Sequence, residues 1–217
     1  MRVRVASPVV VLGVLVLLVS ACGGSGTPKR AASAEEVAAR ASHCAGAVRA
    51  SWQQLANRIH APVFCPSWLP DPFTGKLHDG RWNTIYSVAR DRSYLMGFIW
   101  LEAGSGELHV NIRGYPGRTK VPICTDTEIT GGKTTRTKVP CFDDRQGTRR
   151  IGGRTVTIYT RNQDADLWHV LYAWRYRGSL YTVSQHVTAP LTYAKVVQSL
   201  NRIVRGLDVI QPVKPAR

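Results

Sequence analysis

Alternation of apolar and polar residues near the C-terminus constrains the fold of this 217-residue chain more than any other feature. Five large apolar side chains occupy every second position, at Trp168, Val170, Tyr172, Trp174 and Tyr176. This period of two is typical of a β-strand with one buried face. Arg177-Gly178 then predicts a two-residue turn, after which Tyr181 pairs with Trp174 and His186 pairs with His169. These residues therefore predict a β-hairpin near the C-terminus.

Three earlier segments extend the predicted sheet. Trp82 to Val88 alternates, Tyr94 to Leu101 is apolar throughout, and Leu108 to Ile112 alternates again. A four-residue turn at 103–106 would place Leu101 opposite Leu108 and keep apolar residues on one face. With a strand at 154–160, the pattern indicates about six antiparallel strands in two β-meanders, 81–113 and 154–188. Residues 114–150 are interpreted as a long connection that is closed by Cys124 and Cys141 and has room for short strands.

One helix is predicted at each end of the sheet. Ser33-Ala34-Glu35-Glu36 is a capping box, and apolar residues recur at helical spacing from Val37 to Ile59. Pro190 suits the first turn of a terminal helix, and Gly206 can help to end that helix. Four residues form its apolar side: Val196, Leu200, Ile203 and Leu207. The predicted fold class is α+β, an antiparallel sheet with helices packed on it.

The N-terminus has the organisation of an export signal. Arg2 and Arg4 precede an apolar run from Val9 to Val19, which rises only about 16 Å as a helix and is too short for a lasting membrane span. The run ends in Val19-Ser20-Ala21-Cys22, which resembles the lipobox of bacterial lipoproteins. The resemblance implies cleavage before Cys22, acylation of its thiol and anchoring outside the cytoplasm. Ordinary secretion with a chance cysteine is the alternative.

The resulting organisation has four parts. Residues 1–21 form the signal peptide, 22–32 the lipidated cysteine and a flexible tether, 33–210 one globular domain, and 211–217 a tail. No motif assigns the globular domain to a family.

The cysteine count agrees with export. Once Cys22 carries lipid, four cysteines remain, an even number that suits an oxidising compartment. Proximity in the sequence favours the pairs Cys44–Cys65 and Cys124–Cys141.

Positive charge is the main compositional bias. The formal net charge is +15, and it falls to +13 when Arg2 and Arg4 leave with the leader. One modest cluster, Arg149, Arg150 and Arg154, is a candidate site for a polyanionic envelope polymer or anionic lipid, although a solvated face is the simpler interpretation. The export signal argues against a nucleic-acid partner.

Motifs for catalysis or metal binding are weak. His169 and His186 could form a zinc or proton-binding pair, but ordinary polar cross-strand residues are favoured. Asp164 and Asp166 lie in a polar turn without the pattern of a calcium loop. No metal or cofactor is predicted, and an enzyme is not expected.

The aromatic side chains of the hairpin allow two interpretations. Trp168, Tyr172, Trp174 and Tyr181 form either core beneath the terminal helix, which is favoured, or a face that binds an apolar ligand. We therefore expect a non-enzymatic, membrane-tethered binding domain whose partner is an envelope protein or polymer. A carrier or sensor of a lipid, acyl chain or glycan is the alternative, and a hydrolase without a recognisable motif is the third.

Overall fold

The computed structural model describes residues 44, 46–73, 80–102, 106–162 and 168–213. The signal peptide, Cys22, the tether, the capping box, Asp164 and Asp166 lie outside the described residues. The described chain contains two helices and eleven strands: α1 (Gly46–Ile59), β1 (Val63–Pro66), β2 (Gly80–Val88), β3 (Tyr94–Glu102), β4 (Gly106–Tyr115), β5 (Ile123–Thr130), β6 (Lys133–Pro140), β7 (Asp144–Ile151), β8 (Arg154–Asn162), β9 (Trp168–Tyr176), β10 (Ser179–His186), α2 (Tyr193–Arg205) and β11 (Leu207–Ile210).

The main sheet has seven antiparallel strands in the order β2-β3-β4-β10-β9-β8-β7. This confirms the α+β class and the two meanders, which join where β4 pairs with β10. The sheet has one strand more than the six predicted, because β7 lies in the segment interpreted as a connection. Asp144–Ile151 is an exposed edge strand with polar residues on both faces, so no apolar alternation marked it.

The predicted register of the C-terminal hairpin is confirmed. Tyr181 pairs with Trp174, and His186 pairs with His169. The turn at Arg177-Gly178 has positive φ at both positions, 47° and 71°, as a type I′ turn requires.

The predicted register of β3 and β4 is wrong by one residue. Leu108 pairs with Trp100, whereas Leu101 pairs with Glu107 and is 42% exposed. The uniformly apolar β3 offers an apolar residue on either parity, so its sequence did not distinguish the two registers. In the folded protein Phe98 and Trp100 are both buried in the main core, and this burial fixes the register of β3 with β4.

The two faces of the sheet pack differently. Both helices and the β1–β11 ribbon pack with one face, and the main core is formed there by residues such as Trp52, Leu55, Tyr172, Leu200 and Ile203. The opposite face carries a smaller apolar cluster: Phe142, Leu171, Ala173 and Leu180. We call these the helix-covered face and the open face.

Both ends of α2 differ slightly from the prediction, because the helix begins at Tyr193, after Pro190, and ends before Leu207. Thr192 caps the helix by accepting from the backbone N–H of Lys195, and Gly206 follows the last helical residue. Leu207, predicted to lie on the helix, begins β11 and is buried.

Both predicted disulfides are present. Cys44–Cys65 closes a separation of 21 residues and is buried in the main core, whereas Cys124–Cys141 closes a separation of 17 residues. The second bond joins the bases of β5 and β6, whose hairpin is largely exposed. The disulfide prediction is confirmed.

Candidate functional site

Three histidines form a row on the open face. The predicted pair His169 and His186 lies on β9 and β10, and the pairing of β10 with β4 places His109 beside them. The three ring centroids lie 4.7 to 5.1 Å from one another. Three neighbouring strands therefore each contribute one imidazole to a single cluster, which we call the histidine cluster.

Hydrogen bonds restrict the tautomers of these rings. The Nε2 atoms of His109 and His169 lie 2.6 Å apart, so in the neutral cluster one must carry hydrogen and the other must accept it. The Nδ1 of His186 lies 2.7 Å from the carbonyl oxygen of Glu107 and therefore donates to it. The Nδ1 of His109 lies 3.1 Å from the carboxylate of Glu107, close enough for an ion pair, although the two groups lack the alignment of a hydrogen bond.

The histidine cluster is buried, and its member His109 favours the neutral state. The pKa of His109 is lowered from an ordinary value of 6.5 to about 3. Burial is the largest cause, and the neighbouring His169, His186 and Arg113 add to it. The nearby carboxylate of Glu107 would favour the imidazolium, but its side chain is 47% exposed and solvent screens it. Desolvation therefore dominates at His109, because an imidazolium there would lose its hydration and lie beside two further imidazoles.

A groove of about 540 Å³ runs beside this cluster. One wall is the open face of the sheet, and the other includes Cys124, Cys141 and Phe142. Polar side chains contribute much of its lining: Asp91, Ser93, His109, Asn111, Arg113, Tyr115, Arg118, Arg161, His169 and Ser184.

The strand register explains why these side chains share the groove. His109, Asn111 and Arg113 alternate along β4 and so point to the same face. Arg161 pairs with His169 across β8 and β9. Arg118 comes from the turn that follows β4 and forms an ion pair of 3.0 Å with Asp91.

The aromatic residues of the hairpin lie on the helix-covered face. Tyr172 and Tyr181 are fully buried, Trp174 is 3% exposed, and Phe64 packs edge-on against both Trp174 and Tyr181. Trp168 is different, because it is 38% exposed and stacks on Tyr193 of α2. The expectation that Trp168 shares the buried position of the other aromatic residues is therefore wrong.

The predicted arginine cluster does not form one surface. Arg149 and Arg150 are adjacent on the edge strand β7 and point to opposite faces. Arg154 donates to the carbonyl oxygens of Val204 and Leu207 at 2.8 and 2.9 Å, and its guanidinium lies over the ring of Phe64. Arg154 thus connects β8 to the end of α2, while Arg149 and Arg150 are exposed.

Sequence reasoning found two of the three clustered histidines and missed the groove arginines. The polar positions His109, Asn111 and Arg113 alternate visibly in β4, which was a signal for a polar face. The pairing of β4 with β10 joins strands 60 to 80 residues apart, and only that pairing brings His109 to His186.

Comparison with known proteins assigns no relative: no family model, no curated protein and no solved structure matches this chain. Within the described residues, no three His, Cys, Asp or Glu side chains are arranged to hold a metal ion. Neither described helix has the length and apolarity to cross a membrane.

Proposed function

We propose that this protein is a non-enzymatic lipoprotein of the cell envelope, an extracytoplasmic domain tethered through Cys22 that binds its partner at the open face. The groove beside the histidine cluster is the observation that carries the proposal. Polar and charged side chains converge there on a rigid sheet, a typical arrangement for a binding site.

Location outside the cytoplasm is supported by two independent features. The Val19-Ser20-Ala21-Cys22 sequence resembles a lipobox, and the other four cysteines pair into two disulfides. Disulfides form and persist mainly in oxidising compartments. Acyl chains on Cys22 would hold the domain at the membrane, and residues 23–32 would allow it to reach a partner.

The alternative of an apolar-ligand carrier finds less support in the geometry. Such a carrier would need open space beside the hairpin aromatics, and Tyr172 and Tyr181 are fully buried. A cavity of about 530 Å³ reaches Phe64 and Trp174, but Trp174 is only 3% exposed. We therefore place the binding site on the opposite face of the sheet.

The tether is tested by replacing the acylated residue. Cys22→Ser should abolish incorporation of labelled palmitate and release the protein from the membrane fraction. Cys44→Ser with Cys65→Ser is the matched control, since it removes two thiols and should leave labelling intact. Labelling that persists in Cys22→Ser would overturn the proposed anchor.

A further inference from the structure

A second, apolar groove of about 550 Å³ lies between α1 and the edge strand β2. Trp52, Leu55 and Phe98 are the buried part of its lining, whereas Val48 and Tyr86 are 49% and 45% exposed. Its volume lies within the range of about 300–1,000 Å³ that small-molecule sites occupy. We call it the α1 groove.

The helix and the strand register explain why these side chains line one groove. Val48, Trp52 and Leu55 recur at spacings of four and three residues along α1, so they form one stripe. Tyr86 pairs with Met96 across β2 and β3, and both side chains therefore lie on the same face of the sheet. Apolar side chains of the helix and of the sheet edge thus share one strip of surface, and covering that strip with an apolar ligand is favourable.

One end of the α1 groove carries a cation. Arg58 continues the stripe of α1 three residues beyond Leu55, donates to the hydroxyl of Tyr86 at 3.4 Å, and lies over the ring of Tyr86. Among the described residues, no carboxylate forms an ion pair with Arg58. A guanidinium has several N–H donors, so the contact with Tyr86 leaves others to bind an anion.

The dimensions of the α1 groove favour an acyl chain over a partner helix. Val48 and Arg58 lie ten residues apart on α1, which is a distance of about 15 Å. An extended dodecyl chain has a similar length, whereas a helix of that length is about 10 Å across and occupies about twice the volume of the groove. An apolar strip that ends at one guanidinium matches a single acyl chain that ends in a carboxylate.

We propose that the α1 groove binds a single-chain fatty acid, with its acyl chain along Val48, Trp52 and Leu55 and its carboxylate at Arg58. This site goes beyond the proposed function, because the α1 groove shares no lining residue with the groove on the open face. It depends neither on acylation of Cys22 nor on a partner at the open face. A ligand at this site also leaves the packed aromatic residues of the hairpin undisturbed.

Binding of dodecanoate tests the site in the full chain carrying Cys22→Ser, which prevents the protein's own acyl chains from occupying the groove. Dodecanol provides the same chain without the carboxylate, and hexanoate provides the carboxylate with a shorter chain. Displacement of a fluorescent fatty acid, below the micelle concentration, measures the three affinities. Dodecanoate should bind at least about 100-fold more tightly than hexanoate, because each buried methylene contributes up to about fourfold.

One pair of variants tests the guanidinium. Arg58→Gln removes the cation of the groove, and Arg150→Gln removes the same charge from β7 at the opposite edge of the sheet. Arg58→Gln should lose about fivefold or more of the dodecanoate affinity, as expected for a charge-assisted hydrogen bond that solvent partly screens. Its affinity for dodecanol should stay within about twofold, and Arg150→Gln should change neither affinity by more than about twofold.

A second pair tests the apolar strip. Val48→Asp places a carboxylate in the lining of the groove, and Ile129→Asp places one on β5 at a position that is 72% exposed. Val48→Asp should weaken the binding of both dodecanoate and dodecanol by about tenfold or more, because a ligand would bury the new charge. Ile129→Asp should leave both affinities unchanged. Thermal melts check that all four variants fold, as expected for substitutions of exposed residues.

Three results would each overturn the proposal. The first is dodecanoate binding that does not saturate or is no tighter than hexanoate binding, which would leave a partner helix as the occupant of the groove. The second is an equal loss in a groove variant and its matched control, which would mean unspecific adsorption. The third is an Arg58→Gln variant that loses as much affinity for dodecanol as for dodecanoate, or loses neither. None of these results involves palmitate labelling or the open face, so failure here is distinguishable from failure of the proposed function.

Discussion

The helix-covered and open faces of the seven-stranded sheet are built from the same strands but differ in chemistry. On β9, Tyr172 and Trp174 point into the main core, while His169 and Leu171 point to the other side. The helix-covered face is filled by aromatic and aliphatic side chains. The open face joins a small apolar cluster to buried histidines and a polar groove.

This difference separates stability from binding. Apolar burial supplies most of the free energy of folding, so the helix-covered face should dominate the melting temperature. Buried polar groups stabilise less and often mark a functional surface, which fits the open face.

The largest expected effect is on the helix-covered face. Trp174→Ala should reduce the free energy of unfolding by about 3–5 kcal/mol, because it leaves a cavity in a packed core. A domain of this size has only about 5–15 kcal/mol of stability, so the variant should melt far lower or fail to accumulate.

Trp168→Ala is the matched control for Trp174→Ala. It removes the same side chain from the same strand, but from a position that is 38% exposed. Its loss should be about 1 kcal/mol, mainly from the stacking contact with Tyr193. Thermal and urea melts measure both variants, and equal losses would show that the aromatic residues do not form the dominant core.

The disulfides provide the next comparison, since Cys44–Cys65 lies in the main core and Cys124–Cys141 lies beside the groove on the open face. Removing either Cys44–Cys65 or Cys124–Cys141 by paired Cys→Ala substitutions should cost about 3 kcal/mol, because the closed loops are similar in length. Only the second pair lines the groove beside the histidine cluster. Peptide mapping without reduction checks the pairing, and a Cys44–Cys124 link would contradict it.

The effect of acid is graded with pH, and it acts on the open face. The pKa of His109 is about 3 in the folded protein and about 6.5 when the chain is unfolded. Below pH 6.5 the unfolded chain binds a proton that the folded protein excludes, so stability falls as pH falls. Between these two pKa values, His109 changes the free energy of unfolding by about 1.4 kcal/mol per pH unit. Above pH 6.5 His109 is neutral in both the folded and the unfolded state, so it no longer makes stability depend on pH.

Urea melts at pH 7, 6, 5 and 4 measure this dependence. His109→Gln should lose stability less steeply with acid than the wild type, because it removes the group that resists protonation. Trp168→Ala removes no titratable group and should keep the wild-type slope. An unchanged slope in His109→Gln would contradict the buried, neutral state of His109.

Local patterns predicted the parts of the fold that depend on neighbouring residues. The alternation from Trp168 to Tyr176 and the turn at Arg177-Gly178 were sufficient for the β9–β10 register. The pairing of His169 with His186 followed from that register. By contrast, β3 carries apolar residues on both of its faces. Its register with β4 is therefore fixed only by packing in the core, which buries Phe98 rather than Ile99.

The candidate site required contacts that no local pattern contains. His109 joins His186 only because β4 pairs with β10, and this pairing depends on the closure of a long loop and on the shared core. Arg161 and Arg113 reach one groove for the same reason, whereas Arg149 and Arg150, adjacent in the chain, are separated by the two faces of a strand.

Local sequence patterns predicted the period of the C-terminal strands, the turn at Arg177-Gly178 and the pairs of cysteines, because hydrophobic alternation and short loops act over a few residues. Long-range packing in the folded protein sets which strands are neighbours and therefore which polar side chains come into contact. Burial against distant segments determines that choice, and for this reason the histidine cluster and the polar groove emerge only from the folded sheet.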